Sequence, residues 1–171
     1  MFTVLAAFPS RRHDHAACVA EALRAAEDIC REGALNLTPL RRRVLELVWD
    51  SHAPVRAYDL LDELRTERRG AAPPTVYRAL EFLQAHGFVH RLDSLNAYVG
   101  CAQPGTRHAG QFLICGACRT VAELDDPAIT EAVNARAGAV GFEVAGQTVE
   151  ISGLCAACAK SSASQESRTI G

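Results

Sequence analysis

"PPTVYRALEFLQAHGFVHRLDSLNAYVGC", residues 73–101, decides the fold, because its hydrophobic period changes partway along. The first half opens with Pro73 and Pro74, where a helix needs no N–H, and sets Val76, Leu80 and Leu83 at helical spacing. Gly87 ends that helix. Two short β-prone runs follow, 88–92 and 97–100, around the polar turn Asp93–Asn96. A helix followed at once by a hairpin is the closing part of a winged helix-turn-helix. There the last helix enters the major groove of DNA and the hairpin lies beside the backbone.

The segments upstream supply the other helices. Residues 16–33 are Ala-rich, with Val19, Leu23, Ala26 and Ile29 on one face and Gly33 as the stop. In "NLTPLRRRVLELVWDS", Thr38 is an N-cap, Pro39 takes the first helical position, and Leu40, Val44, Leu47 and Val48 form the inner stripe. A third helix runs from about Ala57 to Gly70, with Leu60, Leu61 and Leu64 inward. If "PPTVYRAL" starts the recognition helix, Thr75, Tyr77 and Arg78 lie at its base-reading end. Arg suits a bidentate guanine contact and Tyr a sugar, thymine methyl or phosphate. The competing readings are core packing for Tyr77 and a surface ion pair for Arg78.

The 171 residues allow one domain or two small ones, and 49% hydrophobic with 22% charged residues describes a globular chain. Net charge is −2, which argues against a polybasic nucleic-acid coat but leaves local patches open. The Arg clusters at 41–43 and 68–69 fit either phosphate contacts or a solvated helix face. The apolar start "MFTVLAAFP" is too short, and too poor in basic residues, for a signal peptide, and no run is long enough to span a membrane. Seven Cys is an odd number in a chain too long for a disulfide scaffold, so a reducing, cytoplasmic setting is expected.

Beyond a Gly- and Pro-containing hinge at 101–110 lies a small α+β unit. Strands are expected at 111–115 and 119–124, then a helix over 127–139 capped by Asp126, then a hairpin or strand pair within 142–155. The expected domains are therefore 1–100, with 1–15 as a mobile arm, and 111–160, followed by a disordered tail at 161–171. The second unit carries two Cys-x-x-Cys pairs, Cys115/Cys118 and Cys155/Cys158, separated by 36 residues. Four soft thiolates with no open position describe a closed structural zinc site. A redox pair of the thioredoxin kind needs one Cys-x-x-Cys at a helix start, without a matching second pair. His90, Cys101, His108 and Glu123 make a further donor set of two nitrogens, a sulfur and an oxygen, suited to tetrahedral zinc. Taken singly, each is as readily a surface residue.

The stretches "LTPLRRRVLELV", "AYDLLDEL", "PPTVYRALEFLQAHGFVHRLDSLNAYVGC", "FLICGAC" and "GLCAAC" resemble the ferric uptake regulator family, nearest to its zinc-uptake branch, over residues 20–158. The resemblance implies an α+β protein: a winged-helix DNA-binding domain and a small C-terminal α/β dimerisation domain, acting as a homodimer on double-stranded DNA. It implies two Zn²⁺ per chain, a structural one on Cys115, Cys118, Cys155 and Cys158 and a sensing one on His90, Cys101, His108 and Glu123. The expected DNA-binding residues are Tyr58, Thr75, Tyr77 and Arg78.

Within the family, the iron-sensing branch resembles "HHDH" before the first Cys pair, where this chain has "TRHAGQF". The peroxide-sensing branch uses oxygen and nitrogen donors, whereas Cys101 adds a thiolate that favours zinc over iron or manganese. The expectation is a zinc-responsive repressor of zinc-uptake genes on palindromic operators. An iron or manganese sensor of the same family, or a thiol redox switch, is the alternative. No nucleophile–base pair stands apart from the metal ligands, so no enzyme, small-molecule substrate or membrane partner is expected. "HDHAAC", with His13, His15 and Cys18, reads as part of the arm or as a further metal site, and Cys30 as a small buried residue.

Overall fold

The computed structural model describes residues 2–8, 15–50, 53–68, 70–106 and 108–166. These form two compact units, Pro9–Arg107 and the combination of Met1–Phe8 with His108–Gly171. No helix among the described residues is long and apolar enough to cross a membrane.

The Pro9–Arg107 unit contains α1 (His15–Glu32), α2 (Pro39–Trp49), α3 (Ala57–Glu67) and α4 (Pro73–Ala85), then the hairpin β2 (Val89–Leu92) and β3 (Ala97–Gly100). The Thr38 hydroxyl accepts from Arg41 N at 3.3 Å, which satisfies an orphan N–H at the start of α2. Leu23, Ala26, Val44, Val48, Leu60, Leu61, Leu64, Val76, Leu80 and Leu83 meet in one core. The α2 stripe differs from the expected pattern at three leucines. Leu45 is buried and Leu40 and Leu47 only partly, because α2 touches α1, α3, α4 and β3 and so buries a wider face. The hairpin pairs antiparallel from Val89↔Gly100 to Leu92↔Ala97, and Val55 bridges Tyr98 on its other side.

The other unit is a four-stranded sheet in the order β1-β5-β4-β6. Its elements are β1 (Thr3–Ala6), β4 (Gly110–Cys115), β5 (Val121–Asp125), α5 (Pro127–Ala139), β6 (Thr148–Gly153) and α6 (Ala156–Glu166). Asp126 caps α5 as expected, its Oδ1 accepting from Ala128 N at 2.9 Å. Gln111, on β4, is buried and doubly used: its Oε1 accepts from Asp126 N and its Nε2 donates to Asp126 O. A buried amide so satisfied fixes where α5 begins on the sheet.

Three features depart from the sequence reading. Residues 3–6, expected within a mobile arm, form β1 on the outer edge of β5, with Thr3 opposite Asp125 and Ala6 opposite Glu123. Residues 142–155 hold one strand rather than a hairpin, and that strand runs parallel to β4 because α5 returns the chain to the same end of the sheet. Residues 161–166, expected in a disordered tail, continue α6. Ala, Lys and Gln are adequate helix formers without an apolar face.

The winged-helix core is one cluster, so a deep truncation in it should lower the stability of the unit. Leu61→Ala, at a site 1% exposed, is expected to cost about 2–5 kcal/mol. Urea unfolding followed by circular dichroism measures it, and a loss below about 1 kcal/mol contradicts this packing.

Candidate metal centres and nucleic-acid interface

The doubled Cys-x-x-Cys is assembled by the parallel register of β4 and β6. Ile114 faces Ser152 and Cys115 faces Gly153, so both strands end at one level and release their Cys pairs side by side. Gly116 N donates to Gly153 O at 2.9 Å across that end. The first turn closes through Arg119 N to Cys115 O at 2.9 Å, with Arg119 at φ 59°. In the second pair, Cys155 precedes α6 and Cys158 lies in its first turn, where the helix N-terminus favours negative charge.

All four sulfurs lie within 4.8 Å of one another. Tetrahedral zinc with Zn–S bonds of about 2.3 Å requires sulfurs about 3.8 Å apart. Cys118 Sγ and Cys155 Sγ are 3.8 Å apart. The donor set therefore fits zinc. Its electrostatics point the same way. The N–H groups of Cys118 and Cys155 bring the Cys115 thiol down to about 6, and the Thr120 hydroxyl lowers that of Cys118. Cys158, held by the sulfurs of Cys155 and Cys118, is pushed up to about 12. Four thiols this close cannot share four negative charges unless a cation joins them.

The remaining candidate ligands fall into two pairs, one in each unit. In the winged-helix unit, His90 is on β2 and Cys101 immediately follows β3, with Cys101 N donating to Phe88 O at 3.0 Å. The hairpin brings a His90 nitrogen and the Cys101 sulfur within 4.8 Å of each other. In the sheet unit, His108 Nε2 and Glu123 Oε1 are 2.9 Å apart, with side chains 5% and 3% exposed. A buried carboxylate and an imidazole this close offer an oxygen and a nitrogen donor to one cation. His15 and Cys18 lie on α1, and His13 lies outside the described residues.

The expected DNA-contacting side chains are all exposed. Tyr58 projects from α3, and Thr75, Tyr77 and Arg78 occupy the first turns of α4. The core-packing alternative for Tyr77 and the ion-pair alternative for Arg78 thus both fail, since Arg78 forms no ion pair with the described residues. The Arg41–Arg43 cluster behaves otherwise. Arg42 Nε bonds Glu27 at 2.7 Å, Arg43 bonds Glu46 and Glu67, and Arg41 lies 3.7 Å from the centre of the Phe82 ring. These three guanidinium groups tie helices together. What the sequence reading missed is the apolar surface of the sheet unit: α5 buries no residue, and Val140, Phe142, Ile151 and Leu154 are all exposed.

Comparison with known proteins agrees with this arrangement. The model of the ferric uptake regulator family matches residues 32–152. The chain is 42% identical over 141 residues to the zinc uptake regulation protein of Escherichia coli strain K12, covering 81% of each chain. It is 27% identical over 141 residues to the peroxide operon regulator of Bacillus subtilis strain 168, covering 82% of this chain and 96% of that one. A solved zinc uptake regulator complexed with zinc and DNA superposes with a TM-score of 0.81 at 40% identity, covering 85% of this chain and 97% of the other. The holo form of XcZur gives a TM-score of 0.76 at 49% identity, covering 82% and 98%. With more than half of its length matched by the family model, the chain belongs to the ferric uptake regulator family.

Proposed function

We propose that this protein is a zinc-responsive transcriptional repressor, non-catalytic and cytoplasmic, that binds palindromic operators of zinc-uptake genes as a homodimer. The observation that carries the reading is the donor chemistry of the second ligand set. A Cys thiol paired with a His on the winged helix, and a His paired with a Glu on the sheet unit, make a mixed set that selects zinc over harder cations. Its likeness to a zinc uptake regulator solved with zinc and DNA supports the same reading.

Two zinc sites have different tasks. Cys115, Cys118, Cys155 and Cys158 form a closed site that holds the sheet unit together. His90, Cys101, His108 and Glu123 form the sensing site, two ligands from each unit. Zinc supplies there a dication that fixes the mutual directions of up to four ligands. His90 and Cys101 move with the hairpin, and His108 and Glu123 move with the sheet. Held to one ion, the two pairs restrict the separations open to the two recognition helices of a dimer. Those helices then match successive major grooves one turn apart. Linkage requires that operator DNA tighten zinc binding in return. The exposed Val140, Phe142, Ile151 and Leu154 supply the apolar surface by which the sheet units pair. Tyr58, Thr75, Tyr77 and Arg78 face the operator.

Zinc-dependent gel shifts test the sensing site. Cys101→Ser is expected to lose most of the gain in operator affinity that zinc gives the wild type. Equal binding by Cys101→Ser and wild type, with and without zinc, sinks the reading. Arg78→Ala should weaken operator binding by about 1–3 kcal/mol and relax preference at one base position. A uniform loss across sequences would mark Arg78 as a phosphate contact instead. For the closed site, calorimetry of Cys155→Ser should show the cooperative transition of the sheet unit abolished, since such a zinc is worth about 10–16 kcal/mol. A wild-type transition would refute the structural role.

A further inference from the structure

The winged-helix unit holds a contact that lies outside the proposed ligand sets. Trp49 is the one tryptophan of the chain and the last residue of α2. Its indole lies against Gly100, the last residue of β3. A Cβ built on Gly100 would stand 2.1 Å from Trp49 Cε2, 2.3 Å from Nε1 and 2.6 Å from Cζ2. The indole thus fills the volume that any other residue at 100 would need. Gly100 is not in the left-handed backbone region, which among the described glycines holds only Gly87, Gly105 and Gly141. Glycine is required at 100 for room and not for backbone freedom.

The position of this contact gives it meaning. Gly100 pairs with Val89, so its chain neighbour is Cys101 and its cross-strand partner adjoins His90. The indole therefore braces the backbone between the two ligands of the winged-helix pair. The hairpin has two strands of four residues each, and the Val55 bridge supports it at Tyr98, two residues short of Gly100. The end of so short a ladder frays unless something packs on it. Helix α2 also contacts α4, and Val44, Leu45 and Val48 belong to one core with Val76, Leu80 and Leu83.

We propose that Trp49 is a positioning residue for the His90–Cys101 pair, its indole wedged on Gly100 so that both ligands are held ready for metal. The inference rests on the proposed sensing role of those two residues. By stopping the ladder end from fraying, the wedge removes an ordering cost that metal binding would otherwise carry. Because the wedge belongs to α2, it also ties the ligand pair to the helix on which α4 packs.

The test uses full-length protein with the four-cysteine site loaded, titrated with Zn²⁺ against a competing chelator. Trp49→Ala is expected to weaken the Cys101-dependent zinc by about 10- to 100-fold, the range typical of residues that orient metal ligands. Trp49→Phe, which keeps a flat ring, should lose less. Gly100→Ala, which must push the indole away, should weaken zinc as well. Leu61→Ala is the control, destabilising the same core without touching the hairpin end, and should keep wild-type affinity. In the wild type, zinc should change the emission of Trp49, and Cys101→Ser should abolish that change. Wild-type affinity in Trp49→Ala, or an equal loss in Leu61→Ala, overturns the inference while leaving the sensing site intact. If Trp49→Ala does not fold, wild-type affinity in both Trp49→Phe and Gly100→Ala overturns it equally. The absence of any Cys101-dependent zinc in the wild type would instead overturn the functional reading and this inference with it.

Discussion

Charge repulsion among four sulfurs is the constraint from which the sheet unit follows. The unit buries few large side chains, chiefly Phe112, Ile114 and Val121, and a core that small holds little surplus over its conformational entropy. Ionising all four sulfurs within 4.8 Å of one another costs further free energy unless a cation is present. With one, the same cluster becomes the strongest bond in the unit. The in-register parallel pairing of β4 with β6 is what makes this possible, since it brings two Cys pairs 36 residues apart to one end of the sheet.

The second ligand set obeys a different logic. Each of its halves is positioned by its own unit: a hairpin end for His90 and Cys101, a buried strand for Glu123 beside His108. Neither half offers enough donors for zinc alone. On the proposed reading this incompleteness is the basis of sensing, because only a metal that recruits both halves changes what the two units can do relative to each other. A closed site and a divided one can then coexist in a chain of this length, one resisting zinc loss and the other responding to it.

Local signals were the most legible. Thr38 and Asp126 cap helices through bonds spanning three residues or fewer, and both were readable from residue type and the following Pro. The inner face of α4, with Val76, Leu80 and Leu83, was readable from spacing, and the doubled Cys-x-x-Cys from its own repetition. What escaped depends on distant partners. Strand β1 is four residues long and has no clear alternation, so only its partner β5 makes it a strand. The single parallel β6 is set by the crossover of α5 and not by residues 148–153 themselves. Leu45 was missed because α2 buries more than one stripe. The fit of Trp49 to Gly100 joins residues 51 positions apart through complementary volume, which no periodicity encodes.

The edge position of β1 makes the winged-helix unit an insertion: the sheet unit begins the chain, is interrupted by Pro9–Arg107, and is then completed. Cutting the chain near residue 107 therefore does not yield two finished pieces. The C-terminal piece keeps Glu123 on a bare strand edge, and the N-terminal piece carries away the segment that matched it. A bare edge and a loose matching strand, brought together at high concentration in a self-associating protein, are the ingredients of strand exchange between copies.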